Sequence, residues 1–358
     1  MNIACVNATH SWGGVKTWTL EVADFLRRRG HGVWLFGRPG PFVDKARALG
    51  IDARPVSFGF DFNPVCIARF AAFFWRNKVD VVLGNVAKDM RSAGVAARLC
   101  GIPVVQRIGA QGDLSPTAKI RFQMRLVRPH LLTNCHDIKH KLAAKLPFVA
   151  PGAITVIHPG KPPVAAPPPA RVAPDAPLAL IATNQLVAGK DMPALLHALA
   201  MCRDAGHAFT LHVVGNGNQE APLKALAQTL GLAERIVWHG FSTDVPGHLR
   251  RADVFCLSSP HEGVPQGLLE AMAHGLVPVA RRVGGIPEVW PAGLDHLLVD
   301  PASGPAGLAQ ALSSVLAADN ATLAAWKRLA WEKCVADCNI SIQAAALEAW
   351  LAALATRR

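Results

Sequence analysis

The chain has 358 residues, 51% of them hydrophobic and only 17% charged, so it can bury large cores and is neither disordered nor a solvated tail. That length exceeds what one core usually serves, and two domains are expected. Lysine and arginine outnumber acids by 37 to 25, but the excess is local: residues 1–160 hold 22 basic and nine acidic side chains, a net of +13, whereas residues 161–358 hold 15 and 16, a net of −1. No run of about 18 apolar residues occurs, which excludes a spanning helix; the stretch Val65–Trp75 is broken by Arg69. The N-terminus, Met-Asn-Ile-Ala-Cys-Val, has no basic n-region and reads as a first strand instead of a leader. Eight cysteines (Cys5, Cys66, Cys100, Cys135, Cys202, Cys256, Cys334 and Cys338) form no C-x-x-C pair. Reduced core thiols in a cytoplasmic protein are expected, and no zinc site.

In chain order, Ile3–Asn7 predicts a strand and Val15–Arg29 a helix stopped by Gly30; Val33–Phe36, Val79–Leu83, Val104–Arg107 and Leu131–Asn134 follow as strands. Between Pro159 and Pro177 stand eight prolines in nineteen residues, which fix φ and remove donors and so predict a stiff, extended connector. Beyond it, Ala179–Thr183, Thr210–Val214, Ile236–His239, Val254–Leu257, Val277–Ala280 and His296–Val299 read as strands, with closing helices from about Gly304 to Arg357. The alternation predicts an α/β protein of two Rossmann-like, doubly wound domains facing a cleft, with C-terminal helices packing back toward the first domain. The expected boundaries are 1–160, a Pro-rich linker at 161–177, a second domain at 178–335 and a C-terminal helix at 336–358.

The strand Val254–Leu257 runs into Ser258-Ser259-Pro260-His261-Glu262-Gly263-Val264-Pro265-Gln266-Gly267-Leu268-Leu269-Glu270. Gly263 and Gly267 permit close backbone approach, and the free amides of a helix start suit a phosphate. Glu262 on the loop and Glu270 within the helix could accept from ligand hydroxyls. Each alone also has an ordinary use, Glu262 as a cap and Glu270 as a surface residue. Upstream, Thr183-Asn184-Gln185-Leu186-Val187-Ala188-Gly189-Lys190 leaves a strand end, where Lys190 could neutralise a phosphate. Near the N-terminus, His10-Ser11-Trp12-Gly13-Gly14 offers exposed amides to a diphosphate. His10, Asn85, Lys88 and Asp89 fall at strand ends of the first half, while Cys334 and Cys338 are read as packing residues.

Together these residues resemble the retaining glycosyltransferases of family four, which have the GT-B fold. The likeness is strongest from Ala252 to Glu288, where the family's two-glutamate motif stands with seven residues between Glu262 and Glu270. Weaker matches are Gly13-Gly14, Val156-Ile157-His158-Pro159-Gly160, Lys190, Val214-Gly215-Asn216-Gly217 and His239-Gly240-Phe241. The resemblance implies a nucleotide-diphosphate sugar as donor, with no cofactor and no required metal. It places Glu262 on the sugar hydroxyls, the segment Gly263, Val264, Pro265 and Gln266 near the sugar and phosphates, Glu270 on the ribose, and Gly13, Gly14 and Lys190 near the diphosphate. Stabilisation of the departing nucleotide would supply most of the rate, with retention of the anomeric configuration.

Two departures stand out. The family usually has Gly-Arg-Leu before the lysine, and here Asn184-Gln185-Leu186 replaces it, so Gln185 offers a neutral hydrogen bond where a cation is usual. Many members place a histidine near the sugar after the fourth strand of the first domain, and Arg107 stands at roughly that place, suited to phosphate or an acidic sugar. The expected catalytic set is therefore Glu262, Arg107 and His10.

A dinucleotide oxidoreductase would want G-x-G-x-x-G after the first strand, and neither that turn nor Gly215-Asn216-Gly217 continues so. The basic residues of the first half are spread among helices without an aromatic-basic motif, so no nucleic-acid partner is expected. A sugar-nucleotide epimerase of the same fold and a catalytically lapsed sugar-nucleotide-binding protein remain as alternatives to transfer. The expected acceptor is a glycan or lipid-linked molecule, as in lipopolysaccharide or other envelope polysaccharide synthesis. Arg121, Arg125 and Arg128 are predicted to share one face of a helix over Lys119–Arg128, and Phe58, Phe60, Phe62, Phe70, Phe73, Phe74 and Trp75 crowd a nearby stretch. That combination predicts a cytoplasmic enzyme peripheral on the anionic inner face of the membrane.

Overall fold

Short apolar runs closed by turn residues become parallel strands, and the longer amphipathic stretches between them become crossover helices. The computed structural model describes residues 1–10, 12–110, 112–166, 169, 171, 173 and 176–356. Among them a first sheet holds β1 (Asn2–Asn7), β2 (Gly32–Gly37), β3 (Asp52–Pro55), β4 (Val81–Gly84), β5 (Val104–Ile108), β6 (His130–Thr133) and β7 (Ile154–Val156), in the order β3-β2-β1-β4-β5-β6-β7. A second holds β8 (Leu178–Thr183), β9 (Phe209–Val214), β10 (Ile236–Gly240), β11 (Val254–Leu257), β12 (Val277–Arg281) and β13 (Leu298–Val299), in the order β10-β9-β8-β11-β12-β13. Pairing is parallel in both. These are the two Rossmann-like sheets expected, and in each the strand order reverses beside the opening strand, at β1/β4 and at β8/β11. Ligands of open α/β sheets bind outside the carboxyl ends of strands at such switch points.

Two strands escape the sequence reading, β3 and β7, and both are sheet edges. β3 reads Asp-Ala-Arg-Pro, with Ala53 buried and its neighbours exposed, because an edge strand needs no continuous apolar run and tolerates a terminal proline. β7 is only three residues long. The strand expected at His296–Val299 shrinks to β13, preceded by a 3₁₀ turn at Asp295–Leu297.

The chain divides into two compact units, Met1–Pro159 with Ser341–Arg358, and Gly160–Ile340. In the first, helix Gly14–Arg28 covers the sheet with Trp18, Val22 and Leu26, spaced by four, and ends with Arg27 and Arg28 in its last turn before Gly30 at φ 86°. The final helix, Ile340–Ala355, adds Leu347, Leu351 and Leu354 to the cluster formed by Ile3, Leu35 and Leu83. In the second unit the Pro-rich segment is tied down where it begins: Lys161 bridges Asn339, and Val164 donates its amide to the Ala273 carbonyl at 2.9 Å.

The aromatic stretch is largely interior. Phe58, Phe70 and Phe74 are buried, and Phe36 packs edge-on against Phe70 at 5.2 Å, while Phe60 and Trp75 are exposed. The basic helix runs over Ala118–Val127, and Arg128 caps it in the left-handed conformation at φ 50°. Among the described residues the eight cysteines form no disulfide, and burial pushes the Cys5 thiol up to about 12.

Candidate functional site

At the β8/β11 switch point, the 3₁₀ turn Ala188–Lys190 after β8 meets the loop after β11. Lys190 Nζ lies 2.5 Å from Glu262 Oε1, and Ser258 Oγ donates to the Lys190 carbonyl at 3.0 Å. Beside them Asp191, left-handed at φ 46°, pairs with the buried Arg281 at 2.7 Å. The loop carrying Glu262 is pressed against the Gly284-Gly285 turn: a Cβ on Gly284, which sits at φ +56°, would meet the Glu262 carbonyl at 1.8 Å, so only glycine fits. Gly285 donates its amide to the Gly263 carbonyl at 2.9 Å.

Gly263 and Val264 are buried, and helix Gln266–Ala273 follows Pro265 without a side-chain cap. Gly267 lies so close to the end of β8 that a Cβ would sit 2.8 Å from Thr183 Oγ1. Here buried polar atoms lack partners: Thr183 Oγ1, Ser259 Oγ, and both Nε2 and Oε1 of Gln266. Unsatisfied buried polar groups are costly, and a cluster of them at a strand-end switch point makes this place a candidate polar-ligand site. Gln185 is exposed on the turn before Lys190.

One turn along the helix, Glu270 pairs with Lys161 at 2.9 Å. Lys161 is almost fully buried, its amide bonded to the Cys338 carbonyl, its own carbonyl accepting from Ile340. The sequence reading missed it, because a lysine inside a proline-rich run carries no motif.

In the first unit, a cavity of about 430 Å³ at the end of β1 is lined by Thr9, His10, Trp12, Gly13, Gly14, Val15, Lys16 and Val86. Gly13 is extended, and a Cβ there would meet nothing within 4 Å. His10 is exposed, and its carbonyl accepts from Lys16 Nζ at 3.0 Å. Lys16 is 6% exposed, and burial lowers its ammonium pKa, with Arg38 adding to the effect. It too went unremarked in the sequence. Arg107, near the carboxyl end of β5, is buried with its guanidinium 4.3 Å over the Trp18 ring.

The other strand-end residues have structural work. Asp89 is fully buried and accepts from the amides of Ala8, Asn85 and Val86 at 2.8, 2.8 and 2.9 Å, clipping the loop after β1 to the loop after β4. Burial pushes its carboxyl up to about 7 against the pull of those amides. Lys88 bonds the Gly59 carbonyl at 2.6 Å and Asp61 at 3.2 Å.

Two family models match: "Glycosyltransferase Family 4" over residues 12–162 and "Glycosyl transferases group 1" over 178–318. The chain belongs to this family of group 1 glycosyltransferases and has its GT-B fold. Among curated relatives it is similar to the putative colanic acid biosynthesis glycosyltransferase WcaL of Escherichia coli K12, 33% identical over 175 residues, 47% of this chain and 43% of that protein. It is also similar to the 2-deoxystreptamine glucosyltransferase of Streptomyces kanamyceticus, 37% identical over 93 residues, 25% of this chain and 24% of that one. The matched segment thus spans less than half the length of these relatives. Among solved structures, Anabaena HepE in complex with UDP-glucose superposes with a TM-score of 0.80 at 19% identity, covering 99% of this chain and 100% of that one. A glycosyltransferase from Rickettsia africae gives 0.81 at 16% identity, covering 99% and 98%.

Proposed function

We propose that the protein is a retaining glycosyltransferase that moves a sugar from a nucleotide-diphosphate sugar to a glycan or lipid-linked acceptor in envelope polysaccharide synthesis, such as that of lipopolysaccharide. The observation that carries this reading is the cluster at β8/β11, where Lys190 and Glu262 are paired beside the unpartnered atoms of Thr183, Ser259 and Gln266. A diphosphate competes for Lys190 and displaces Glu262, whose carboxylate is then free to accept from sugar hydroxyls. The amides of Gly263, Val264 and Gln266 and the open helix start face the same anion. Glu270, held by Lys161, accepts from the ribose. As the glycosidic bond to phosphate breaks, charge grows on the departing diphosphate, and Lys190 with those amides stabilises it more than the ground state. By the same resemblance the first unit takes the acceptor, and its cavity is lined by His10 and by Gly13 and Gly14, the pair that the resemblance assigns to the diphosphate.

The reading also places the enzyme at a membrane. On helix Ala118–Val127, Phe122 and Leu126 are exposed beside Arg121 and Arg125, and Arg121 stacks over the half-exposed Phe148 at 5.5 Å. Apolar side chains ringed by cations suit an anionic lipid surface, each cation contributing about 1 kcal/mol. Among the described residues no helix is long and apolar enough to cross a membrane.

The test is calorimetric titration with a panel of nucleoside diphosphates and their sugars, followed by turnover with and without acceptor. Lys190→Ala should weaken nucleoside diphosphate binding by about 2 kcal/mol, the scale of a charge-assisted bond. Donor turnover to an epimer without any acceptor marks the epimerase, and binding without turnover marks the lapsed protein. An unchanged dissociation constant in Lys190→Ala removes the donor-site assignment.

A further inference from the structure

Arg107 is 5% exposed, and among the described residues its guanidinium makes no hydrogen bond. It lies over the Trp18 ring at 4.3 Å, and the backbone passes close beside it, since a Cβ on Gly109 would fall 2.9 Å from its Nη1. Burial draws its pKa down to about 10, and the carboxylate acting against that is Asp113, which is itself engaged with the amides of Gly109 and Ala110 at 2.8 and 2.9 Å. A guanidinium offers five N–H donors in a rigid fork, and with no protein partner those of Arg107 stay open to a ligand.

The neighbouring strand ends carry complementary atoms. β5 lies between β4 and β6. Asn85, directly after β4, and Asn134, directly after β6, are both buried, and the Oδ1 of each has no partner. Their amide nitrogens are engaged, Asn85 with the Val6 carbonyl and Asn134 with the Gly109 carbonyl, so the acceptors are held in place. Three consecutive strand ends thus present one unused cationic fork and two unused hydroxyl acceptors.

We propose that the carboxyl edge of β4, β5 and β6 binds a sugar substrate that carries a carboxylate or a phosphate, with Arg107 taking the anion through its fork and Asn85 and Asn134 accepting from hydroxyls. Taken with the transferase reading, on which this assignment of a substrate rests, the acceptor is an anionic sugar. Arginine matches planar or tetrahedral oxyanions in two parallel bonds, which a lysine cannot reproduce.

The full chain is titrated with glucuronic acid, glucose 6-phosphate and glucose, followed by ligand-observed NMR, and the titrations are repeated in Lys190→Ala so that anion binding in the second unit is removed. At least one anionic sugar should bind about tenfold or more tightly than glucose. That preference should persist in Lys190→Ala, vanish in Arg107→Gln and return only in part in Arg107→Lys. The carboxylate and phosphate arms tell which anion is read. Equal binding of all three sugars, or survival of the preference in Arg107→Gln, overturns the proposal. Failure of the nucleoside diphosphate titration would sink the donor site alone, whereas failure here leaves donor binding intact.

Discussion

Around the switch point of the second sheet three cations that are buried or half-buried have carboxylates. Lys190 meets Glu262, Lys161 meets Glu270, and Arg281 meets Asp191. Around the switch point of the first sheet, Lys16 and Arg107 are as deeply buried, and among the described residues neither meets one. A paired site is neutral while empty, so a ligand must exchange one ion pair for another and gains from the difference. An unpaired site has no ion pair to give up, so an anion that arrives there gains its interaction without that exchange. The charge asymmetry of the chain, +13 against −1, is the coarse image of that contrast.

The largest expected effect comes from opening the paired site. Glu262→Ala removes the group assigned to the sugar hydroxyls, and turnover should fall by about 10² to 10³, the cost of losing one preorganised polar contact to the transition state. It also frees Lys190, so nucleoside diphosphate affinity should hold or improve while catalysis collapses. Steady-state kinetics beside calorimetry separates the two quantities. A parallel loss of both would mean that Glu262 supports the loop instead of the sugar.

Next is the frame of the unpaired site. Leu351 is fully buried in the cluster shared with Ile3 and Leu83, although it lies 348 and 268 residues away from them in sequence. Leu351→Ala should cost about 2–5 kcal/mol of stability in urea unfolding. Loss of first-unit structure with donor binding retained would follow from the two-unit organisation. The sequence led to the expectation that the C-terminal helices pack back toward the first domain, and the last of them does, but an alanine-rich tail does not show which side chains it meets.

The same limit explains what else the sequence revealed. Both sheets, the Glu262–Glu270 spacing and the glycine turns announce themselves because strand runs and backbone-approach glycines are local patterns. β3 and β7 do not, since edge strands need neither length nor a continuous apolar run. Lys16 and Lys161 do not either. Each matters through burial and the partner burial leaves it, the His10 carbonyl for Lys16 and Glu270 for Lys161, and a lone lysine has no signature. Phe58, Phe70 and Phe74 misled in the opposite direction: an aromatic stretch has the same composition whether it faces lipid or a core.

Lys161 sharpens the paired side. Glu270 keeps 24% of its side-chain exposure, so losing its cation leaves it partly hydrated and should cost about 1–2 kcal/mol, less than breaking a fully buried pair. Lys161→Met should reduce the discrimination between a nucleoside diphosphate and its 2′-deoxy analogue, and Lys161→Arg should restore much of it. If discrimination is untouched in both variants, Lys161 only anchors the Pro-rich segment.

The smallest effect tests the first unit where its cations do meet a carboxylate. Asp61 lies 3.2 Å from Lys88 and 2.8 Å from Arg91, and Lys119 also contacts it. The hydrogen bond from Lys119, then Lys88 and the field of Arg91, overcome burial and hold its carboxyl down at about 2, below the usual 3.8. A depressed carboxyl stabilises the fold above its unfolded pKa and loses that contribution as pH falls through the folded value. The Asp61 contribution should therefore be complete above about pH 5 and be lost between about pH 4 and pH 2. Its carboxylate is a quarter exposed and Lys119 is half exposed, so solvent screening limits it to about 1 kcal/mol. Urea unfolding of the protein and of Asp61→Asn at pH 5 and near pH 2 isolates it, because the other acids titrate alike in both. The gap between the two proteins should close on acidification. A gap that stays constant would show that Asp61 acts by packing its loop, and that the cations around it are as little neutralised as Arg107.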